Sequence, residues 1–262
     1  MVRMLVCAGL LLGSVALAQP AALRMVSNEF PPYVGQELPQ QGYYPALVRR
    51  VLALQGLALE LQFEPPARAH ASVLAGRYDA AFPMVRSAER ERDFVFSEPL
   101  LWVRSYLYVR ADSPIRGLQD LNGRRSCHLQ HSRQPQPVQQ LVEDGLIRVE
   151  RVAQIGQCFD MLVRGRVDFL ALGDYAGVAG MRQLGATGET LRRLEPPLAQ
   201  GSLHLVWPRR DPQSGARAAA FNKGLAQLRQ QGEVSALERA LLPALPSQPD
   251  SKPLNKALGR GR

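Results

Sequence analysis

Residues 78–99 read YDAAFPMVRSAERERDFVFSEP, and the rest of the chain is arranged around them. Apolar residues flank Asp79 and run on to Met84, as in a strand buried on both faces. The stretch then breaks into the charged SAERERD and returns to apolar character in FVFSEP. A buried parallel strand that runs into an arginine-bearing loop is where an α/β protein holds an anion, at the carboxyl end of its strands.

The segments before it fit a parallel sheet. Residues 23–27 read as a strand that stops at the paired prolines of NEFPPY, which cannot continue a strand or a helix interior. Leu47, Val48, Val51 and Leu54 fall on one side of a helix over 43–54. Residues 57–63 alternate as a strand, Pro65 and Pro66 end it, and a helix over 67–75 follows. The order β-α-β-α-β predicts right-handed crossovers. Beyond residue 100, strands are expected at 101–110, 124–129, 147–152, 167–172 and 203–207, and helices at 137–146, 158–164 and 175–184. The second half repeats the architecture of the first without an evident sequence repeat. A helical segment ended by Pro243 closes the fold, and Pro, Ser, Lys and Gly from residue 245 onward predict a disordered basic tail over 244–262.

The chain starts MVRMLVCAGLLLGSVALAQP. A basic start, an apolar run and Ala16-Leu17-Ala18 before Gln19 form a signal peptide over residues 1–18; a membrane anchor is the alternative, but the run is short for a span of about 20 residues. Export to the periplasm follows. Cleavage leaves Cys127 and Cys158, an even pair in an oxidising compartment, which suggests a disulfide; two buried free thiols are the alternative. Without histidines at ligand spacing these cysteines make no zinc site, and neither metal nor cofactor is expected. The net charge is +9, but the arginines are spread along an exported chain with no nucleic-acid motif, so a basic surface helpful to anionic ligands is the better reading.

Together, G-x-x-D-A at Gly76, Asp79 and Ala80, E-R at Glu89 and Arg90, and F-x-F-S-x-P at Phe94, Phe96, Ser97 and Pro99 resemble the extracytoplasmic solute-binding proteins of the polar amino-acid type, family 3, the receptors that feed ABC importers. Further motifs are similar: Phe30-Pro31-Pro32-Tyr33 in the first loop, Asp120-Leu121-Asn122-Gly123, and Phe221-Asn222 with Gly224-Leu225. The resemblance implies a two-lobed α/β fold of the periplasmic-binding-protein type II, with two hinge crossings. Residues 19–104 and 204–243 would form one lobe and 105–203 the other. It implies a monomer that traps a small carboxylate-bearing, amino-acid-like solute and docks on an ABC permease.

By the same resemblance Arg90, six residues before Phe96, grips the ligand's carboxylate; its planar fork suits two parallel bonds. Composition alone would make it part of a solvated turn with Glu89, Glu91 and Arg92. Tyr33 stacks on the ligand, Arg68 opens a helix aimed at the cleft, and Arg86 is a further candidate. Ser132 binds the carboxylate from the second lobe, although His131 replaces the family's glycine there. Asp174 receives an amine, one residue after Gly173, which holds the usual position of that acid. Asp168 caps or packs. Val85 stands where the family often has a threonine, so one polar contact is missing and the ligand stays open. Two alternatives share the fold. One is an enzyme like the cyclohexadienyl dehydratases, with Glu29 or Asp174 as general acid. The other is a sensor or partner protein with a degenerate cleft, suggested by Val85, His131 and Gly173.

Overall fold

Two long strands carry the sheet from one lobe to the other: β5 (Leu101–Arg110) and β10 (Ala199–Pro208). The computed structural model describes residues 21–130, 134–185 and 190–245; the expected signal peptide, His131 with Ser132, and the expected tail from residue 246 lie outside them. The first lobe holds β1 (Ala22–Ser27), α1 (Tyr43–Ala53), β2 (Ala58–Phe63), α2 (Pro66–Leu74), β3 (Ala80–Val85), α3 (Ala88–Asp93) and β4 (Phe94–Phe96). The second holds β6 (Arg125–Leu129), α4 (Gln136–Glu143), β7 (Arg148–Val152), α5 (Ile155–Val163), β8 (Phe169–Gly173), α6 (Asp174–Gln183) and β9 (Leu191–Arg193). The chain then returns through β10 to α7 (Ser214–Gln230) and α8 (Glu233–Leu241) on the first lobe.

The strands form one sheet in the order β2-β1-β3-β10-β5-β8-β6-β7, with β4 on β10 and β9 on β5. Within each lobe β1, β2 and β3, or β6, β7 and β8, pair in parallel. The long strands join antiparallel. β5 pairs with β10 through Leu101–Ser105 and with β8 through Ser105–Val109, so it changes lobes at Ser105. β10 pairs with β5 up to Leu203, and from Leu203 onward with β3. Parallel strands buried on both faces need helices on each, and every lobe has two apolar clusters, one per face.

Both lobes use one local device. Gly76 and Gly165 follow α2 and α5, and in each case the last turn closes with the same pair of bonds: Gly76 N–H to Val73 and Arg77 N–H to Ser72, Gly165 N–H to Leu162 and Arg166 N–H to Met161. Two residues on, an aspartate locks the next strand to its neighbour. Asp79 Oδ2 accepts from the Arg24 N–H at 2.8 Å, and Asp168 Oδ2 from the Arg125 N–H at 2.7 Å. The pattern Gly-Arg-x-Asp is therefore a sequence repeat after all, four residues long. Its carboxylates bond backbone at the amino ends of β3 and β8, away from the loops that face the other lobe.

Two local expectations change. SAERERD is the helix α3 rather than a turn: the Ser87 hydroxyl accepts the Arg90 N–H at 3.3 Å, and Glu89 and Glu91 in the first turn suit the helix dipole. The last crossing strand begins at Ala199, earlier than expected, because its first residues are ordered by pairing with β5. In α6, Gly177 and Gly180 let the helix lie close; a methyl on Gly180 would stand 2.0 Å from the Phe159 ring. Gly180→Ala is expected to destabilise by about 1–3 kcal/mol despite alanine's better helix propensity. Denaturant unfolding checks this, and an unchanged midpoint would contradict it.

Candidate functional site

The carboxyl ends of β1 and β8 face each other across the two lobes, and Tyr33 joins them. Pro31 and Pro32 break the chain after β1, and the loop folds back through paired Phe30–Val34 backbone bonds. This presses Tyr33 inward until 1% of it is exposed. Its ring stacks on Phe30 at 5.0 Å, leans on Tyr44 at 5.9 Å and meets the edge of Tyr175 at 6.1 Å. Phe30 and Tyr44 are first-lobe residues, whereas Tyr175 opens α6 in the second. Burial pushes the Tyr33 phenol well above its ordinary pKa, with the Asp174 charge adding to the effect. The hydroxyl faces the Ala176 N–H without reaching hydrogen-bond geometry.

The neighbouring Tyr44 hydroxyl is also buried without a hydrogen-bond partner among the described residues, on a side chain that is 0% exposed. An unpaired buried hydroxyl costs more than it returns. Tyr44→Phe is therefore expected to keep the fold and stabilise it by up to about 1 kcal/mol. A melting temperature lowered by several degrees would show that the hydroxyl is bonded after all.

Arginines gather past the end of β3. Arg90, on α3, is half-buried, and its Nη1 donates to the Val85 carbonyl at 2.9 Å. Arg86 sits over the Phe96 ring at 5.6 Å and pairs with Glu91 in a close contact. Arg68 lies exposed in the first turn of α2, and His70 on the same helix packs on Phe94 at 4.9 Å. Burial lowers the His70 pKa, and the charge of Arg90 lowers it further. Val85 is half-exposed at the strand end and offers no polar side chain. The Glu29 carboxylate accepts the Gln36 backbone and side-chain N–H groups, each at 3.1 Å.

On the second lobe, Asp174 is 3% exposed at the start of α6. Its Oδ1 accepts the Tyr175 N–H at 2.9 Å and its Oδ2 the Arg104 N–H of β5 at 3.4 Å. Burial raises its pKa, and the backbone bonds only partly offset this. Gly173 has no space for a side chain: a methyl there would stand 2.7 Å from Val103 Cγ1 and 3.2 Å from the Tyr33 hydroxyl. Tyr33 and Asp174 thus belong to one contact between the lobes, Arg68, Arg86 and Arg90 to the first-lobe rim, and Ser132 lies outside the described residues.

Sequence reasoning placed both crossing strands but missed the polar side chains they carry. His204 is buried on β10, with Nδ1 2.7 Å from the Ser97 carbonyl and Nε2 2.8 Å from Ser202 Oγ. A carbonyl only accepts, so Nδ1 carries the proton, and in the neutral ring Nε2 accepts from the Ser202 hydroxyl. Burial, opposed by the Ser97 bond and helped by the Arg86 charge, lowers the pKa and keeps the ring neutral near pH 7. Trp102, the β5 partner of Ser202, is 52% exposed. The i, i+2 spacing of Ser202 and His204 on a strand was the available signal, because it sets both on one face. A cleft of about 430 Å³ lined by Gly76, Tyr78, Asp79, Pro208, Arg210 and Asp211 opens at the amino end of β3, away from all of these residues. Among the described residues, no group of three or more His, Cys, Asp or Glu could hold a metal ion, and no helix is long and apolar enough to cross a membrane.

Two parallel half-sheets joined by two crossing strands, with the loops at their carboxyl ends facing each other, define a two-lobed protein of the periplasmic-binding-protein type II. The chain belongs to the bacterial extracellular solute-binding proteins, family 3, whose family model matches residues 24–243. No curated protein matches it. Solved structures share the fold at low identity. The ligand-binding core of GluR0 from Nostoc punctiforme, in complex with L-glutamate, is 19% identical with a TM-score of 0.71, over 84% of this chain and 98% of that one. A histidine kinase sensor domain similar to periplasmic binding proteins is 22% identical with a TM-score of 0.70, over 86% and 98%. An ancestral arginine-binding protein bound to arginine is 18% identical with a TM-score of 0.71, over 85% and 99%.

Proposed function

We propose that the protein is a periplasmic receptor that binds a small carboxylate-bearing solute between its lobes, closes on it by bending β5 and β10, and delivers it to an ABC permease. Residues 1–18 would be removed on export. The lobes would be residues 19–104 with 204–243, and 105–203; the changes of pairing partner at Ser105 and Leu203 support these limits. The observation that carries the reading is the placement of Arg86 and Arg90 past the carboxyl end of β3, with Arg68 in the first turn of α2. Arg90 and Ser132 would hold the carboxylate. Release of the Tyr33–Tyr175 contact on opening would expose the Tyr33 ring to the ligand. Binding energy then goes into shifting the open to the closed population.

Mass spectrometry of the small molecule that co-purifies with the native protein identifies the ligand, and solution scattering before and after saturation tests closure. A bound carboxylate with a smaller radius of gyration is expected. A saturated protein with an unchanged radius would rule out the hinge. The tight packing of Tyr33 on Tyr175 favours one other reading, a receptor-like partner protein whose lobes stay together; it would show no thermal shift with any carboxylate and would co-purify with a protein.

A further inference from the structure

We propose that the cleft at the amino end of β3 is a second binding site, for a zwitterion the size of an amino acid, with Arg210 taking its carboxylate and Asp79 and Asp211 its ammonium. It lies at the other end of β3 from Arg86 and Arg90, about 20 Å away along the strand, and it does not depend on the receptor reading above.

The two lobes build the same Gly-Arg-x-Asp turn and complete it differently. In the second lobe the Arg110 guanidinium lies over Gly165, with Nη1 3.1 Å from where a methyl would stand, and Arg110 is paired with Asp112 at 3.2 Å. In the first lobe the Arg210 guanidinium lies over Gly76, with Nη2 2.7 Å from where a methyl would stand. Gly76 is at φ +75°, a conformation that favours glycine. Arg210 is exposed, and its side chain has no hydrogen bond or ion pair among the described residues. The acid beside it in sequence does not serve it: Asp211 accepts from Arg217 Nη1 and from the Gln213 N–H, each at 2.9 Å.

The cleft beside Arg210 holds about 430 Å³ and is lined by Gly76, Tyr78, Asp79, Pro208, Arg210 and Asp211, a size within the range of small-molecule sites. It carries both signs of charge. Asp79 and Asp211 both reach Arg217, at 3.5 and 2.9 Å, so two carboxylates share one guanidinium and a negative charge remains beside Arg210. Each of their oxygens meets a single donor: Asp79 Oδ1 meets Arg217 and Oδ2 the Arg24 N–H, while Asp211 Oδ1 meets the Gln213 N–H and Oδ2 Arg217. A carboxylate oxygen has a second lone pair, so both acids keep acceptor sites for an ammonium. Arg210 offers its planar fork to a carboxylate. The other nearby groups are engaged: Arg77 donates to Ser72, Glu64 accepts from Ser72 and Tyr78, and Arg209 donates to the Glu91 and Phe94 carbonyls. The rings of Tyr78 and Pro208 give the cleft an apolar wall suited to a side chain.

The test uses leucine and two analogues: 4-methylpentanoate, which lacks the amine, and 3-methylbutylamine, which lacks the carboxylate. Each is titrated into the mature protein, and the backbone amide resonances of Gly76, Asp79, Arg210 and Asp211 are followed by NMR. Leucine is expected to shift them saturably with a Kd of about 1–10 mM, and each analogue to bind at least about fivefold more weakly. Arg210→Ala, checked for folding by circular dichroism, should weaken the leucine response at the remaining amides at least about fivefold. Shifts that persist in full in Arg210→Ala would be relayed from leucine bound elsewhere and would overturn the inference. No saturable shift would overturn it too, as would an analogue that binds as tightly as leucine, since the two charges would then not act together. The comparison of leucine with its analogues is made in the unaltered protein, so it decides the question even where Arg210→Ala fails to fold.

Discussion

Arg90→Ala should abolish binding of the carboxylate while leaving the fold intact. Arg90 sits on α3, a short helix started by the Ser87 cap, and its guanidinium reaches back to the Val85 carbonyl at the end of β3. That bond holds the side chain at the carboxyl end of the sheet, the edge where α/β proteins bind anions. Removing one partner of a buried, charge-assisted hydrogen bond costs about 2–5 kcal/mol, or about 30- to several-thousand-fold in affinity. Arg90→Lys should recover only part, since an ammonium cannot present the planar fork. Arg92→Ala is the control, because Arg92 is exposed two residues further along α3. Calorimetric titration with the co-purified carboxylate, with circular dichroism for folding, measures all three. Equal losses from Arg92→Ala and Arg90→Ala, or normal binding by Arg90→Ala, would show that the candidate site is elsewhere.

What could be read in the sequence was local or periodic. The spacing from Arg90 to Phe96 placed this arginine just past β3, and the alternation in residues 57–63 and the apolar side of residues 43–54 located β2 and α1. The Gly-Arg-x-Asp repeat was present in the sequence but too short to notice. Its meaning lies in hydrogen bonds to Arg24 and Arg125, 55 and 43 residues away. The helix α3 was hidden because its charges suggest a solvated turn, and only the Ser87 bond shows that a helix starts there. Contacts between the lobes were beyond reach. Tyr33 meets the second lobe because β8 and α6 bring Gly173 and Tyr175 against it, which depends on how β5 and β10 pair rather than on the residues near Tyr33. The Ser202–His204–Ser97 bonds likewise need the register of β10, which brings residues 107 positions apart together. The place of Arg90 just past β3 and the two crossing strands were therefore legible, while the hydrogen bonds on β10 and the closed contact between the lobes were not.

Loss of the disulfide should loosen the second lobe and leave the first one folded. Cys127 on β6 and Cys158 on α5 are bridged across a separation of 31 residues, and both are 0% exposed in a second-lobe cluster with Phe159, Leu162 and Leu170. In the chain-entropy account, a bridge closing such a loop removes about 3–4 kcal/mol of freedom from the unfolded chain. Alanine at both positions is the better test, because serines would bury two hydroxyls in an apolar cluster. The first-lobe clusters contain neither cysteine and share no residue with the bridged one. The expected outcome is a thermogram that separates into two transitions, with the lower one absent from the oxidised wild type. Hydrogen exchange should quicken in β6, β7 and α5 and stay slow in β1 and β3, as for a locally weakened unit. Ser132 follows β6 by three residues in the sequence, so ligand affinity should fall with second-lobe order even though no contact residue has changed. Equal loss of protection in both lobes, through one lowered transition, would mean that β5 and β10 couple them into a single cooperative unit. Two alkylatable thiols in the oxidised mature protein would mean that the bridge does not form.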